Sequence, residues 1–193
     1  MKKIGLTGSI GSGKSTIAHI LRCMGYPIYL SDNEASRLMN THPLLREALQ
    51  KRLGKDAYTS EGNLNKPIVA QIIFNDPQAL QDINRLVHPR VIEDFQSWCQ
   101  QQSSPCVFFE SAIIVEANLT HFFDYIICVT ASESIRLNRV TKRDGLQPEQ
   151  IKERMRNQLD DTTKCLQANY IIYNDSQHRV IEQVLDMLKQ INP

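Results

Sequence analysis

The chain has 193 residues, 41% hydrophobic and 22% charged, with a formal net charge of +1. That length holds one well-packed domain with subdomains and is too short for two full α/β domains, and the composition excludes a disordered or fibrous chain. The near-neutral charge offers no global basic field for sequence-independent nucleic-acid binding, so no nucleic-acid partner is expected. Five cysteines, Cys23, Cys99, Cys106, Cys128 and Cys165, are odd in number and lack a C-x-x-C spacing, which reads as reduced thiols in packed positions. With no apolar run of membrane-spanning length and an N-terminus that enters directly into a strand, the chain is expected to be cytoplasmic, without a membrane partner.

In chain order, residues 3–7 read as a short strand, and residues 16–21 open an apolar stripe at helical spacing. Between them Gly8-Ser9-Ile10-Gly11-Ser12-Gly13-Lys14-Ser15 fits G-x-x-x-x-G-K-S/T, in the strand–loop–helix setting that the pattern demands. Backbone N–H groups of such a turn wrap a polyphosphate, and Gly8, Gly11 and Gly13 supply unusual backbone angles and close approach. Lys14 is expected to reach the β- and γ-phosphates and Ser15 to hold Mg²⁺ through its hydroxyl. The helix beginning there aims its N-terminal dipole at the anion. His19, on the same helix, reads as a surface or packing residue.

The first helix should end near Gly25. Residues 27–30 form a second short strand, after which Ser31-Asp32 leads into a helix. Ligands of open parallel sheets bind beyond the carboxyl ends of the strands, so Asp32 is expected on the rim that carries the phosphate loop. It suits both helix capping and chemistry on an acceptor. From residue 33 to residue 102 the pattern is helical. Pro43, Pro67, Pro77 and Pro89 are expected to divide this stretch, each in the first turn of a helix. Ile68, Ile72 and Ile73, then Leu80, Ile83, Leu86 and Val87, supply the apolar stripes. Residues 51–65, with Gly54 and Gly62, read as a turn or loop.

Residues 106–110, 125–130 and 170–173 read as three further buried strands. Residues 177–191 read as a closing amphipathic helix with Val180, Val184, Leu185 and Leu188 on its apolar stripe. Glu110 ends the third strand, where an acid near a phosphate loop holds Mg²⁺ or its water shell. Arg136, Arg139 and Arg143, at i, i+3 and i+7, share one helix face. A break follows at Asp144, Gly145 and Pro148, and then come Arg154, Arg156 and Lys164, so the stretch reads as a mobile basic lid over a triphosphate.

The expected fold class is α/β: a P-loop kinase with a five-stranded parallel sheet, a helical substrate-binding insertion and a helical lid. Residues 1–32, 103–135 and 166–193 make the nucleotide-binding core, 33–102 the insertion that holds the acceptor, and 136–165 the lid. Thr141-Lys142-Arg143-Asp144 imitates the guanine-reading N/T-K-x-D of GTPases, but it lies inside a charged helix rather than at the end of a buried strand. A small-molecule kinase explains each part. A nucleoside or nucleotide kinase and a nucleotide-dependent regulatory protein are the alternatives.

At this point the residues resemble the bacterial dephospho-CoA kinase family. Residues 4–16 look like its phosphate loop with the preceding strand. Ser31-Asp32, Ala35 and Arg37 are similar to its D-x-x-A-R region, and Leu86-Val87-His88-Pro89 resembles its L-x-H-P. The stretch from Glu110 to Glu116 looks like its acid-x-P-L-L-F-E segment. Arg139 and Arg143-Asp144-Gly145 match its lid, and Ala168-Asn169-Tyr170 through Asn174 resembles its A-D-x-V-I-x-N ending. The chain departs from the family at Ser36, where an arginine is usual, and in having Glu110 and Ala112 for aspartate and proline.

The resemblance implies transfer of the γ-phosphoryl of ATP to the ribose 3′-hydroxyl of dephospho-CoA with Mg²⁺, the last step of coenzyme A synthesis. It implies that Asp32, Lys14, Arg139 and Arg143 carry the chemistry. Gly8, Gly11, Ser12, Gly13, Lys14, Ser15, Thr16 and Asn174 would hold ATP, with Asn174 near the adenine. Asp32, Arg37, His88 and Glu110 would meet the acceptor, and Ser15 and Glu110 the metal. The protein is expected to act as a monomer.

Overall fold

The computed structural model describes residues 1–191. Strands β1 (Lys2–Thr7), β2 (Ile28–Leu30), β3 (Cys106–Glu110), β4 (Tyr125–Thr130) and β5 (Tyr170–Tyr173) form one parallel sheet in the order β2-β3-β1-β4-β5. The helices are α1 (Lys14–Cys23), α2 (Ser31–Thr41), α3 (Pro43–Leu53), α4 (Lys66–Asn75), α5 (Pro77–Gln100), α6 (Glu133–Asp144), α7 (Pro148–Arg156), α8 (Asp161–Leu166) and α9 (Val180–Ile191). Two compact units result. One comprises Met1–Tyr29 and the chain from Gln102 onward, the other Leu30–Gln101.

In the first unit the strands are near-continuous apolar runs because both faces of the sheet are covered. Alternation places Ile4, Leu6, Cys106, Phe108, Ile127, Val129 and Ile172 on one face. There they pack with Ile17, Ala18 and Leu21 of α1 and with Val184, Met187 and Ile191 of α9. The register aligns Leu6 with Glu110, Thr7 with Cys128 and Thr130 with Tyr173. The residues that follow, Gly8, Ser111, Ala131 and Asn174, therefore emerge together at the carboxyl rim of the sheet. Helix α1 ends as its sequence demands. Gly25 has φ 88°, its N–H bonds Arg22 O at 3.0 Å, and Tyr26 N bonds Leu21 O at 3.1 Å.

The second unit is helical. Pro43, Pro67 and Pro77 stand in the first turns of α3, α4 and α5. Asp76 caps α5 by accepting from Gln78 N at 2.9 Å, and Arg52 bridges Asp76 and Asp82 at 2.8 and 2.6 Å. Pro89 does not begin a helix. It lies inside α5, which continues for 24 residues. An internal proline forfeits one backbone hydrogen bond, at a cost of ~3 kcal/mol. The i, i+4 stripe of buried Ala79, Ile83, Val87, Val91, Phe95 and Cys99 runs unbroken past it and keeps the helix whole.

That stripe also corrects the expected one, since Ala79 is buried and Leu80 is 44% exposed. In α9 the inward face is Val184, Met187 and Ile191, while Leu185, about 100° around the helix from Val184, is 46% exposed. Residues 51–53 belong to α3 rather than to the loop, and Cys23 is exposed rather than packed.

Phe95 is 1% exposed and stacks on Trp98 with ring centroids 6.0 Å apart. Replacing it with alanine is expected to lower unfolding free energy by ~3–5 kcal/mol, read from urea denaturation.

Candidate active site

The phosphate loop leaves β1 at Gly8 and enters α1 at Lys14. Gly13 has φ 95°, and a Cβ there would lie 1.9 Å from Asn174 Nδ2; at Gly8, with φ 145°, a Cβ would lie 2.1 Å from Val129 O. Both positions thus require glycine twice over, for backbone angle and for the approach of protein atoms from β4 and from the end of β5. The sequence reading assigned this room to the ligand alone.

The loop carbonyls are held by side chains. Lys14 Nζ donates to Gly8 O at 2.8 Å and to Ser9 O at 3.3 Å. Arg139, from α6, donates through Nη1 to Gly11 O at 3.4 Å and Ser12 O at 3.3 Å, and Asn174 Nδ2 donates to Ser12 O at 2.9 Å. Lys14, Arg139, Asn174 and the glycines of the motif therefore meet in one place. The buried Ser12 hydroxyl makes no hydrogen bond to any described residue, leaving a polar atom available at the centre of the loop.

The arginines of α6 do not act as one face. Arg136, with 12% of its side chain exposed, is turned to Asp161 at 3.4 Å and donates to Ala131 O at 3.1 Å. Arg139 engages the loop. Arg143, 62% exposed, lies against Asp144 at 2.7 Å, and their hydrogen bond raises the pKa of Arg143 and depresses that of Asp144. Gly145, with φ 66°, ends the helix by bonding Thr141 O at 2.9 Å, and α7 starts three residues later.

Glu110 is the last residue of β3, and Ser15 is exposed at the second position of α1. One carboxylate and one hydroxyl suit Mg²⁺, which takes one or two protein ligands beside phosphates and water rather than an all-protein cage. Among the described residues no group of three or more His, Cys, Asp or Glu side chains is placed to hold a metal ion. Thr16, exposed, follows Ser15 in the first turn of α1.

The remaining expected residues belong to the second unit. Asp32 is exposed in the first turn of α2, two residues after β2. Arg37 donates to both carboxylate oxygens of Asp94 at 2.7 Å and pairs with Glu34, and these bonds raise its pKa. An anion at Arg37 must therefore compete with two carboxylates. His88 is half-buried in α5, and desolvation lowers its pKa, which favours the neutral imidazole.

Two contributors, Asp161 and Gln158, escaped the sequence reading. Asp161 accepts from Ser9 Oγ of the loop and from Thr130 Oγ1, and Gln158 Oε1 accepts from Ile10 N at 2.9 Å. Lys164, expected among the basic charges of the lid, is instead fully buried, where it pairs with Glu116 at 2.6 Å and donates to Ala112 O at 2.8 Å. An uninterrupted Asp160-Asp161 pair in a basic stretch is the one signal of this, and spacing alone assigns it no partner.

The family model for dephospho-CoA kinase matches residues 2–179. The dephospho-CoA kinase of Bacteroides fragilis is 37% identical over 187 residues, covering 96% of this chain and 91% of that protein. A crystal structure from Thermus thermophilus superposes with a TM-score of 0.83 at 29% identity, covering 99% of this chain and 96% of that one. Dephospho-CoA kinase from Campylobacter jejuni, at 23% identity, shares the fold with a TM-score of 0.69 over 98% of this chain and 96% of its own. With a family model spanning nearly its whole length and a curated relative at this identity, the chain belongs to the dephospho-CoA kinase family of ATP-dependent phosphotransferases.

Proposed function

We propose that the protein transfers the γ-phosphoryl group of ATP to the ribose 3′-hydroxyl of dephospho-CoA, giving coenzyme A and ADP. The observation that carries this reading is a phosphate loop whose carbonyls are gripped by Lys14, Arg139 and Asn174, in a chain that matches the family from residue 2 to residue 179. The sheet with its loop serves as nucleotide core, residues 33–102 as the acceptor-binding insertion and residues 136–165 as the lid.

Asp32 accepts or orients the proton of the acceptor hydroxyl, whose oxygen then attacks the γ-phosphorus as the bond to the ADP oxygen breaks. Gly8, Gly11, Ser12, Gly13 and Thr16 line the phosphates, and Asn174 stands near the adenine. Lys14 and Arg139 stabilise charge on the migrating group. Arg143 joins them by exchanging Asp144 for phosphoryl oxygens, a trade that its exposure makes inexpensive in desolvation. Ser15 and Glu110 hold Mg²⁺, which screens the phosphate charge when bound. Arg37, His88 and Glu110 contact the acceptor, and the lid keeps water from the reaction. The enzyme acts as a cytoplasmic monomer.

An ADP-release assay with ATP and Mg²⁺ tests the acceptor. Turnover is expected with dephospho-CoA and a product heavier by one phosphate; faster turnover with adenosine or AMP would instead mark a nucleoside or nucleotide kinase. Asp32→Asn is expected to bind ATP normally while transfer falls roughly 10²–10⁴-fold, and unchanged turnover removes Asp32 from the chemistry. Arg143→Ala should lower kcat by roughly 10²-fold with little change in ATP affinity, measured by steady-state kinetics beside equilibrium nucleotide binding. An effect on KM alone would assign Arg143 to ground-state binding.

A further inference from the structure

Asp161 is the first residue of α8, yet the capping of that helix falls to its neighbour. Asp160 accepts from Thr163 N at 2.8 Å and from Thr163 Oγ1 at 2.9 Å. The carboxylate of Asp161 is left for other partners, and it gathers them from three elements. Ser9 Oγ of the phosphate loop donates to Oδ1, Thr130 Oγ1 at the end of β4 donates to Oδ2 at 2.9 Å, and Arg136 Nε of α6 lies 3.4 Å from Oδ2. Three residues earlier, Gln158 Oε1 takes the N–H of Ile10. The two positions that the loop motif leaves open directly after Gly8 are thus both fastened to one short segment of the lid.

That segment is itself firmly seated. Lys164 and Cys165, at i+3 and i+4 from Asp161, lie on the same face of α8. Lys164 is buried against Glu116 and Ala112 O, and Cys165 Sγ is 3.5 Å from Cys128 Sγ of β4. Glu116 also accepts from Leu159 N at 3.2 Å, between Gln158 and Asp161. A cleft of about 460 Å³ opens beside the contact, lined by Ser9, Arg136, Lys152, Arg156, Gln158 and Asp161 among others.

We infer that Asp161 is a positioning residue for ATP. Its carboxylate holds Ser9, next to the Ile10 N–H that Gln158 holds, in the shape that receives the nucleotide, as Arg139 and Asn174 hold Ser12. The inference rests on the loop's being the ATP site. A charge-assisted hydrogen bond in a site largely closed to water is strong. Without it the nucleotide must order the first half of the loop on binding, and affinity for ATP falls while affinity for the acceptor does not.

The test compares Asp161→Ala, Asp161→Asn and Ser9→Ala with the native protein. Circular dichroism and thermal melting establish folding, calorimetry gives the ATP Kd, and kinetics gives both KM values. Asp161→Ala is expected to raise the ATP Kd and KM about tenfold or more, with the dephospho-CoA KM at its native value. Asp161→Asn keeps one acceptor oxygen for Ser9 Oγ and turns an amide N–H to Thr130 Oγ1, which can accept it, and recovers part of the loss. The double variant with Ser9→Ala binds ATP no more weakly than Asp161→Ala alone, as partners in one contact should. An unchanged ATP Kd in folded Asp161→Ala, or a fall in kcat alone with both KM values unmoved, overturns the inference. If Asp161→Ala does not fold, Ser9→Ala is read on the same ATP Kd, and native affinity there overturns it equally. A Lys14→Ala protein that binds ATP as the native protein does marks the separate failure of the loop as the ATP site.

Discussion

A loop that keeps N–H groups for an anion has few left to hold itself; Ser12 N bonds Ser9 O at 3.1 Å and Ile10 N bonds Gln158 Oε1, and something else has to hold the rest of its backbone. Here the carbonyls take that part. Gly8 O and Ser9 O accept from Lys14, Gly11 O from Arg139, and Ser12 O from Arg139 and Asn174. The donors come from the start of α1, the middle of α6 and the residue after β5. Each is placed by a different part of the sheet. The loop therefore has its shape only when β1, β4 and β5 lie side by side in register.

The same arrangement explains why the glycines are fixed so strictly. At Gly13 a methyl group would collide with the Asn174 amide, and at Gly8 with the backbone of β4 at Val129 O. Positive φ alone would tolerate an asparagine at some cost. With the Val129 carbonyl this close Gly8 tolerates nothing beyond hydrogen, and at Gly13 the Asn174 amide would have to give up its bond to Ser12 O. The glycines serve the fold that holds the loop as well as the ligand that enters it, and the two requirements coincide at the same atoms.

How much of this was legible depended on whether a residue's role is local. The strands at residues 106–110, 125–130 and 170–173 coincide with β3, β4 and β5 because a strand covered on both faces must be an apolar run. The first-turn prolines Pro43, Pro67 and Pro77 were legible for the same reason, since a missing N–H is harmless only there. Pro89 misled because an unbroken buried stripe outweighs one lost hydrogen bond, and Leu80 and Leu185 misled because hydrophobicity does not fix a helix's rotation. Asp161 and Gln158 were illegible in principle. Their partners Ser9 and Ile10 lie 152 and 148 positions away, in places that the motif leaves open to any residue.

The three arginines of α6 show how one periodic pattern divides into separate tasks. Spacing puts Arg136, Arg139 and Arg143 along one face, yet exposure rises from 12% at Arg136 to 62% at Arg143. A guanidinium as enclosed as Arg136 cannot remain unpaired, because desolvating a lone charge costs several kcal/mol, roughly. Asp161 and Ala131 O answer that need, and Arg136 becomes part of the scaffold. Arg143 carries no such penalty. Its pair with Asp144 is solvated and worth roughly 0–1 kcal/mol, so it can be broken and remade during turnover. Burial along a single helix thus separates a charge that builds the site from one free to act in it.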